Sequence, residues 1–266
     1  MGDRRTVLIT GASSGFGAEF ARLFARDGFD LVLVARSGAA MEELAQVLDG
    51  RFGSTTTVLP KDLSQPHAVG ELVDNLRQRG VAIDALVNNA GFAQYGPFAE
   101  AEPEELVQML HVNVVALTEL TRALLPGMVE RAWGRIVNLG SVGSFAPAPM
   151  TGAYAATKAF VLSFSLALAE ELAGSGVTVT ALCPGPTETG FQARAAMADS
   201  ALIAGRRLDP ADEVVRAGYE AMKKGRPYLV TGSSSKLFAF GSRFMPRTTA
   251  AKISGRAQRR IAEEGR

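Results

Sequence analysis

The chain has 266 residues, 47% hydrophobic and 21% charged, with a mean hydropathy of +0.11; this is ordinary globular composition, with enough apolar material for one large core. A net charge of +1 argues against a nucleic-acid partner, and the single cysteine, Cys183, excludes an intrachain disulfide and fits a reducing compartment. No stretch reads as a signal peptide or as an integral membrane span, so a soluble, cytoplasmic protein is expected.

In chain order, short β-rich apolar runs fall at 6–10 (TVLIT), 31–35 (LVLVA), 55–59 (TTTVL), 84–88 (DALVN), 135–139 (RIVNL) and 177–182 (VTVTAL). Between them lie helix-length segments of 3.6-residue periodicity, several of them closing on glycine as helix C-termini do. The strands are continuously apolar rather than alternating, the mark of burial on both faces. Alternation of this kind predicts an α/β fold in one domain over 1–266, with a parallel sheet covered by helices on both sides. A helix pattern at 210–224 leads to a seventh strand, PYLVTG at 227–232.

The stretch 236–266 has a different character. It carries eight basic residues (Lys236, Arg243, Arg247, Lys252, Arg256, Arg259, Arg260 and Arg266) against Glu263 and Glu264, and its KLFAFGSRFMP segment sets three phenylalanines among the bases. A solvated basic face on a C-terminal wrap accounts for this; so does peripheral contact with an acidic membrane surface or a partner.

The first strand runs into TGASSGFG, with Gly11, Gly15 and Gly17. Glycines between a strand and a helix let the backbone turn tightly and approach a pyrophosphate, which the helix N-terminus then attracts. The spacing is G-x-x-x-G-x-G rather than G-x-G-x-x-G, so position carries the argument more than pattern does. At the end of the second strand, where an acid would hold a ribose 2′-hydroxyl, stands Arg36; Asp30 lies at the wrong end of that strand. A guanidinium there suits a 2′-phosphate, favouring NADP(H) over NAD(H).

Six motifs then follow in order: TGASSGFG, NNAG at 88–91, Asn113 in HVNVVAL, Ser141 in GRIVNLGSVGS, YAATK with Tyr154 and Lys158, and PGPTET at 184–189. Over residues 6 to about 190 the chain resembles the short-chain dehydrogenase/reductases. The resemblance implies a single-domain Rossmann-type fold with a seven-stranded parallel sheet, assembled as a homodimer or homotetramer. It implies a catalytic set of Asn113, Ser141, Tyr154 and Lys158, with Asn113 bending its helix and holding a relay water. It also implies cofactor contacts from Gly11, Ser13, Ser14, Gly15, Phe16, Gly17, Arg36, Asp62, Leu63, Asn89, Ala90, Gly91, Tyr154, Lys158, Pro184, Gly185, Thr187 and Thr189. Asn88 is expected to be structural.

The chemistry of the residues agrees. Hydride transfer to a carbonyl leaves an oxygen that needs a proton, and a phenol with its ordinary pKa near 10 needs help to act also as a base. Tyr154 and Lys158, at i and i+4, share a helix face, so the ammonium is expected to favour phenolate. Ser141 can donate to the substrate oxygen as charge develops. His67 and His111 lack metal-ligand spacing and are expected to be structural or surface residues, and no metal is expected. Cys183 reads as a buried strand-end residue with no activating base.

By the same resemblance, residues 190–209 form a substrate lid. The lid sequence and the segment before Tyr154 are mostly small and apolar, with Phe145, Met150, Phe191 and Arg194 as candidate substrate contacts. The expected reaction is NADP(H)-dependent hydride exchange with a hydrophobic carbonyl or alcohol. The alternatives are a catalytically silent NADP(H)-binding regulator on the same fold and an NAD-linked dehydrogenase, against which Arg36 argues.

Overall fold

The computed structural model describes residues 4–190 and 208–258. Seven parallel strands form one sheet: β1 (Thr6–Thr10), β2 (Asp30–Ala35), β3 (Thr56–Pro60), β4 (Ala85–Asn88), β5 (Gly134–Leu139), β6 (Val177–Cys183) and β7 (Tyr228–Val230). The helices are α1 (Gly15–Arg26), α2 (Gly38–Phe52), α3 (Ala68–Gln78), α4 (Pro103–Leu110), α5 (Leu117–Glu130), α6 (Gly152–Glu171), α7 (Ala211–Lys223), α8 (Ser233–Gly241) and α9 (Arg247–Gln258). Every strand expected from the sequence is present, with boundaries within two residues.

The strand order is β3-β2-β1-β4-β5-β6-β7. Successive side chains of a strand point to opposite faces, and this splits the core into two layers. Val7 and Ile9 of β1 pack with Phe20 and Phe24 of α1, Met41 and Leu48 of α2 and Val215 of α7. Leu8, between them, faces Leu72 and Leu76 of α3, Leu120 of α5 and Leu168 of α6. Strand order reverses between β1 and β4, and at that switch the loops beyond the carboxyl ends of the strands part to leave a crevice.

The sequence pattern reads 103–131 as one helix. The structure instead inserts a π-helical turn, His111–Ala116, between α4 and α5, with Asn113 buried inside it. The extra residue in that turn interrupts the regular ladder, a device common at functional sites. A second difference concerns membranes. Pro103–Glu130 and Gly152–Glu171 are long and apolar enough to cross one by length and hydropathy, although no such stretch is expected from the sequence. In the fold both lie against the sheet, with Leu120, Met128, Val161 and Leu168 buried.

Candidate active site

At the crevice, the β1–α1 loop turns through Gly11 and Gly15, both in the left-handed region at φ +64° and +55°. Close approach accounts for Gly17: a Cβ there would stand 2.3 Å from the Gly11 carbonyl oxygen and 2.8 Å from Asn89 Nδ2. Asn89 Nδ2 donates to the carbonyls of Thr10 (2.9 Å) and Gly11 (3.1 Å), and Thr10 Oγ1 accepts from the N–H groups of Asn89 and Ala90. The expected contact residue Asn89 therefore spends its amide on bracing the glycine loop. Ser14 caps α1 in extended conformation without a side-chain cap bond, so the N–H groups of the first turn remain available to an anion. Ser13 and Phe16 are half-buried in the same loop, Phe16 packing on the α1 core. Thr189 crosses from the β6 side to within van der Waals reach of Gly15.

Arg36 is exposed at the carboxyl end of β2. Its charge acts on Asp62, which accepts from the N–H (2.9 Å) and hydroxyl (2.8 Å) of Ser64. Burial pushes the Asp62 carboxyl up, but the Ser64 bonds and the Arg36 charge outweigh it and hold the group below its usual range. Leu63 is buried, and its carbonyl meets His111 Nδ1 at 3.1 Å, a structural role for that histidine; His67 is exposed. Asp30 lies at the amino end of β2, accepting from the Thr55 N–H, away from this crevice. A cradle of close-approaching glycines, open helix N–H groups and an exposed guanidinium fits a phosphorylated dinucleotide.

The expected catalytic residues converge. The Ser141 hydroxyl lies within hydrogen-bonding reach of the Tyr154 phenol and favours its ionised form, and the Lys158 ammonium lies 5.7 Å from the Tyr154 ring centre. Gly91 separates Lys158 from Asn113, since a Cβ there would stand 3.5 Å from Lys158 Nζ and 2.9 Å from Asn113 Oδ1. Asn113 donates to the Phe92 carbonyl (3.0 Å) and Thr157 Oγ1 (3.1 Å) and accepts from the Phe92 N–H (3.2 Å), joining the π turn, the β4 loop and α6. Asn88 is structural: it donates to Thr121 Oγ1 and Asn138 Oδ1 inside the sheet.

The electrostatics differ from the sequence expectation. Lys158 is 5% exposed and donates to the Leu139 carbonyl at 2.7 Å. Burial pushes its ammonium down to about 8 and pushes the Tyr154 phenol up to about 12, the Ser141 bond opposing only part of the latter. Rather than favouring phenolate, the chain on its own holds a neutral phenol, because the same loss of water penalises either charge.

Ser144, which no motif singles out, and Cys183 complete this cluster. Ser144 accepts from the Ser141 N–H (3.2 Å) and donates to the Lys158 carbonyl (2.7 Å), tying the turn after β5 to α6. Its signal was the second serine of the S-x-x-S spacing after β5, which forms a capping box with Ser141. Cys183 lies against Gly140, in reach of the Ser141 backbone, the Ser144 hydroxyl and the Lys158 charge. Burial nevertheless pushes its thiol up to about 12, so it is a neutral packing group, as expected. Among the described residues no cluster of His, Cys, Asp and Glu could hold a metal.

After β6, the Pro184 carbonyl accepts from the Val142 N–H, and Thr187 Oγ1 donates to the Gly185 carbonyl. Thr187 also forms a backbone β-bridge with Asp209. Phe191 and Arg194, with most of the expected lid at 190–209, lie outside the described residues. A cavity of about 490 Å³ opens at Ala153, the residue before Tyr154, lined by Gln94, Tyr95, Phe98, Glu100, Leu106 and Met150. Met150 lines it, with a strained φ of +69° and its carbonyl accepting from the Gly96 N–H. Phe145 does not: the 3₁₀ turn Val142–Phe145 carries it to the other side, against Val230 and Ala239. Unforeseen in the sequence, Gln258 of α9 reaches back to this cavity wall. It is buried, accepts from Thr151 Oγ1 at 2.9 Å, and receives the Tyr95 hydroxyl on its own carbonyl.

The short chain dehydrogenase family model matches residues 5–199. Sulfoacetaldehyde reductase 2 of Chromohalobacter salexigens is 41% identical over 187 residues, covering 70% of this chain and 73% of its own. A short-chain dehydrogenase from Sphingobium yanoikuyae in complex with NADPH superposes with a TM-score of 0.78 at 39% identity, over 90% of this chain and 93% of its own. The bulky-bulky ketone specific alcohol dehydrogenase of Comamonas testosteroni gives 0.77 at 32% identity, over 90% and 92%. With that match joined to a seven-stranded doubly wound sheet and a clustered Asn-Ser-Tyr-Lys set, the chain belongs to the short-chain dehydrogenase/reductase family.

Proposed function

We propose that this chain is an NADPH-dependent carbonyl reductase acting on a hydrophobic ketone or aldehyde, with the alcohol oxidised in reverse. The observation that carries the reading is the convergence of Ser141 and Tyr154 beside the buried Lys158 ammonium, 5.7 Å from the Tyr154 ring centre. A neutral phenol pushed up to about 12 is the acid that carbonyl reduction requires. Bound at the crevice, NADPH supplies the hydride. The exposed Arg36 would take its 2′-phosphate, the glycine loop and α1 N-terminus its pyrophosphate, and the NADPH complex of the Sphingobium relative supports this choice.

Ser141 orients the substrate oxygen by donating a hydrogen bond, and Tyr154 Oη delivers the proton to that oxygen as charge builds on it. The ammonium of Lys158, pushed down to about 8, stabilises the phenolate left behind and is itself acidic enough to replenish its proton. Asn113 holds the Phe92 carbonyl and α6 in register, so these distances persist through turnover. The mostly apolar cavity that opens at Ala153, next to Tyr154 in the chain, and the ketone-directed Comamonas relative support a hydrophobic substrate. Phe160 and Leu166, 39% and 38% exposed on α6, support a homodimer or homotetramer, and a buried free thiol suits the cytoplasm.

A panel of ketones and aldehydes assayed with NADPH tests the proposal. Tyr154→Phe is expected to lower kcat about 10²- to 10⁴-fold while the variant still binds NADPH. Wild-type protein that binds NADPH but never outperforms this variant on any substrate would instead identify a silent cofactor-binding regulator.

A further inference from the structure

From Ala221 to Ala262 the sequence carries ten lysines and arginines and not one acidic residue, while the rest of the chain holds 18 cations and 27 acids. Lys236, Arg243, Arg247, Lys252 and Arg256 are all exposed on α8, α9 and the turn between them. None of these five forms an ion pair among the described residues; the ion pairs present use cations elsewhere. Amid these charges stand Leu237, Phe240 and Phe244, exposed to 73%, 61% and 77%. Leu237 and Phe240 share a face of α8 at i and i+3, and the Phe240 and Phe244 rings meet edge to face at 5.4 Å. Behind them a groove of about 440 Å³ runs between α8 and the edge strand β7, with Arg226, Lys236 and Arg243 on its rim and Tyr228 and Phe240 in its wall.

We propose that this face docks the enzyme peripherally on a membrane surface rich in anionic phospholipid. Exposed aromatic and aliphatic side chains enter the boundary between headgroups and acyl chains, and cations without carboxylate partners beside them meet lipid phosphates. The acid-rich remainder of the chain is repelled by the same surface, so the docking has one orientation. A second copy of this chain is a poorer occupant, since an isologous contact would press the same uncompensated cations together. The proposal does not depend on the reductase reading, because the face lies outside the catalytic cluster.

Vesicle flotation tests it, comparing phosphatidylcholine vesicles with vesicles that also contain phosphatidylglycerol. Wild-type protein is expected to float with the anionic vesicles about tenfold more than with the neutral ones, and to be released by high salt as surface charge is screened. The triple variant Leu237→Ser, Phe240→Ser, Phe244→Ser should lose about tenfold in binding, equivalent to about 1.4 kcal/mol, with NADPH affinity unchanged. The charge variant Lys236→Ser, Arg243→Ser, Arg247→Ser should lose as much, and gives a second reading if the first fails to fold. Equal flotation with both vesicle types, or anionic binding that survives both variants, overturns the proposal. So does a wild-type oligomer, measured by light scattering, that dissociates in the triple variant while wild type ignores the anionic vesicles; that result would assign the face to self-association.

Discussion

Replacing Lys158 by methionine keeps most of the side-chain volume and removes a charge that the fold holds away from water. Burial lowers that ammonium from its ordinary 10.5 to about 8, and at 1.36 kcal/mol per pKa unit the buried charge costs on the order of 3 kcal/mol of stability at neutral pH. The substitution also removes the donor to the Leu139 carbonyl, and an orphaned buried acceptor costs about 1–3 kcal/mol. The net expectation near pH 7 is a variant more stable than wild type by about 1 kcal/mol, which for a chain of this size raises Tm by roughly 2–4 °C, although its turnover collapses. The sign then reverses with pH. Above about 8 the folded wild type sheds the Lys158 proton while its unfolded chain keeps it up to about 10.5, so the unfolded state binds more protons and wild type gains stability across that window. By pH 10.5 the variant's advantage should have become a deficit of about 2 kcal/mol. Cys183 and Tyr154, both pushed up to about 12, stay neutral when folded and ionise when unfolded. They therefore lower the stability of both proteins above about pH 9, and cancel in the difference. Denaturant unfolding of the two cofactor-free proteins across this pH range measures the difference directly. A Lys158→Met variant that is less stable by the same amount at every pH would sink the argument that burial of the ammonium governs this site.

Gly17→Ala places a methyl 2.3 Å from the Gly11 carbonyl, so NADPH affinity should fall at least about 100-fold with the far-ultraviolet circular dichroism preserved, as overpacking forces the loop to shift; a change of only a few fold would remove the loop from the cofactor site. Arg36→Asp should weaken NADPH about 10- to 100-fold, the scale of one lost charge-assisted contact, and leave NADH binding equal or better; parallel losses for both cofactors would show that Arg36 does not read the 2′-phosphate. In Gln258→Ala the Thr151 hydroxyl loses its nearer partner, 107 residues away, and keeps only the longer Ala148 carbonyl contact, and the KM for bulky ketones should rise about 3- to 10-fold, the scale of one hydrogen bond, with the NADPH Kd unchanged. Identical KM values across the substrate panel would make α9 irrelevant to the cavity.

Much of the fold was legible because it rests on local regularities. Seven apolar runs of strand length, alternating with amphipathic helix patterns, predict a parallel sheet without any knowledge of contacts. The glycine loop, Arg36 and the order of Asn113, Ser141, Tyr154 and Lys158 were readable because each needs a particular residue type at a particular place along one element. The helix spacing that puts Tyr154 and Lys158 on one face was equally visible.

Tertiary structure decided the rest. The π turn at Asn113 arises because that side chain bonds Phe92 and Thr157, neither of them near it in sequence. Phe145 leaves the substrate side because a capping box after β5 turns it toward β7. Gln258 joins the cavity wall through partners more than 100 residues away, which no periodicity records. The protonation state of the tetrad belongs here as well: spacing says that a phenol and an ammonium are neighbours, but only burial decides that the phenol stays neutral and the lysine is weakened. Residue order along the chain determined which groups would meet, and the dielectric and contacts around them, which exist only once the chain has closed, determined what they are poised to do.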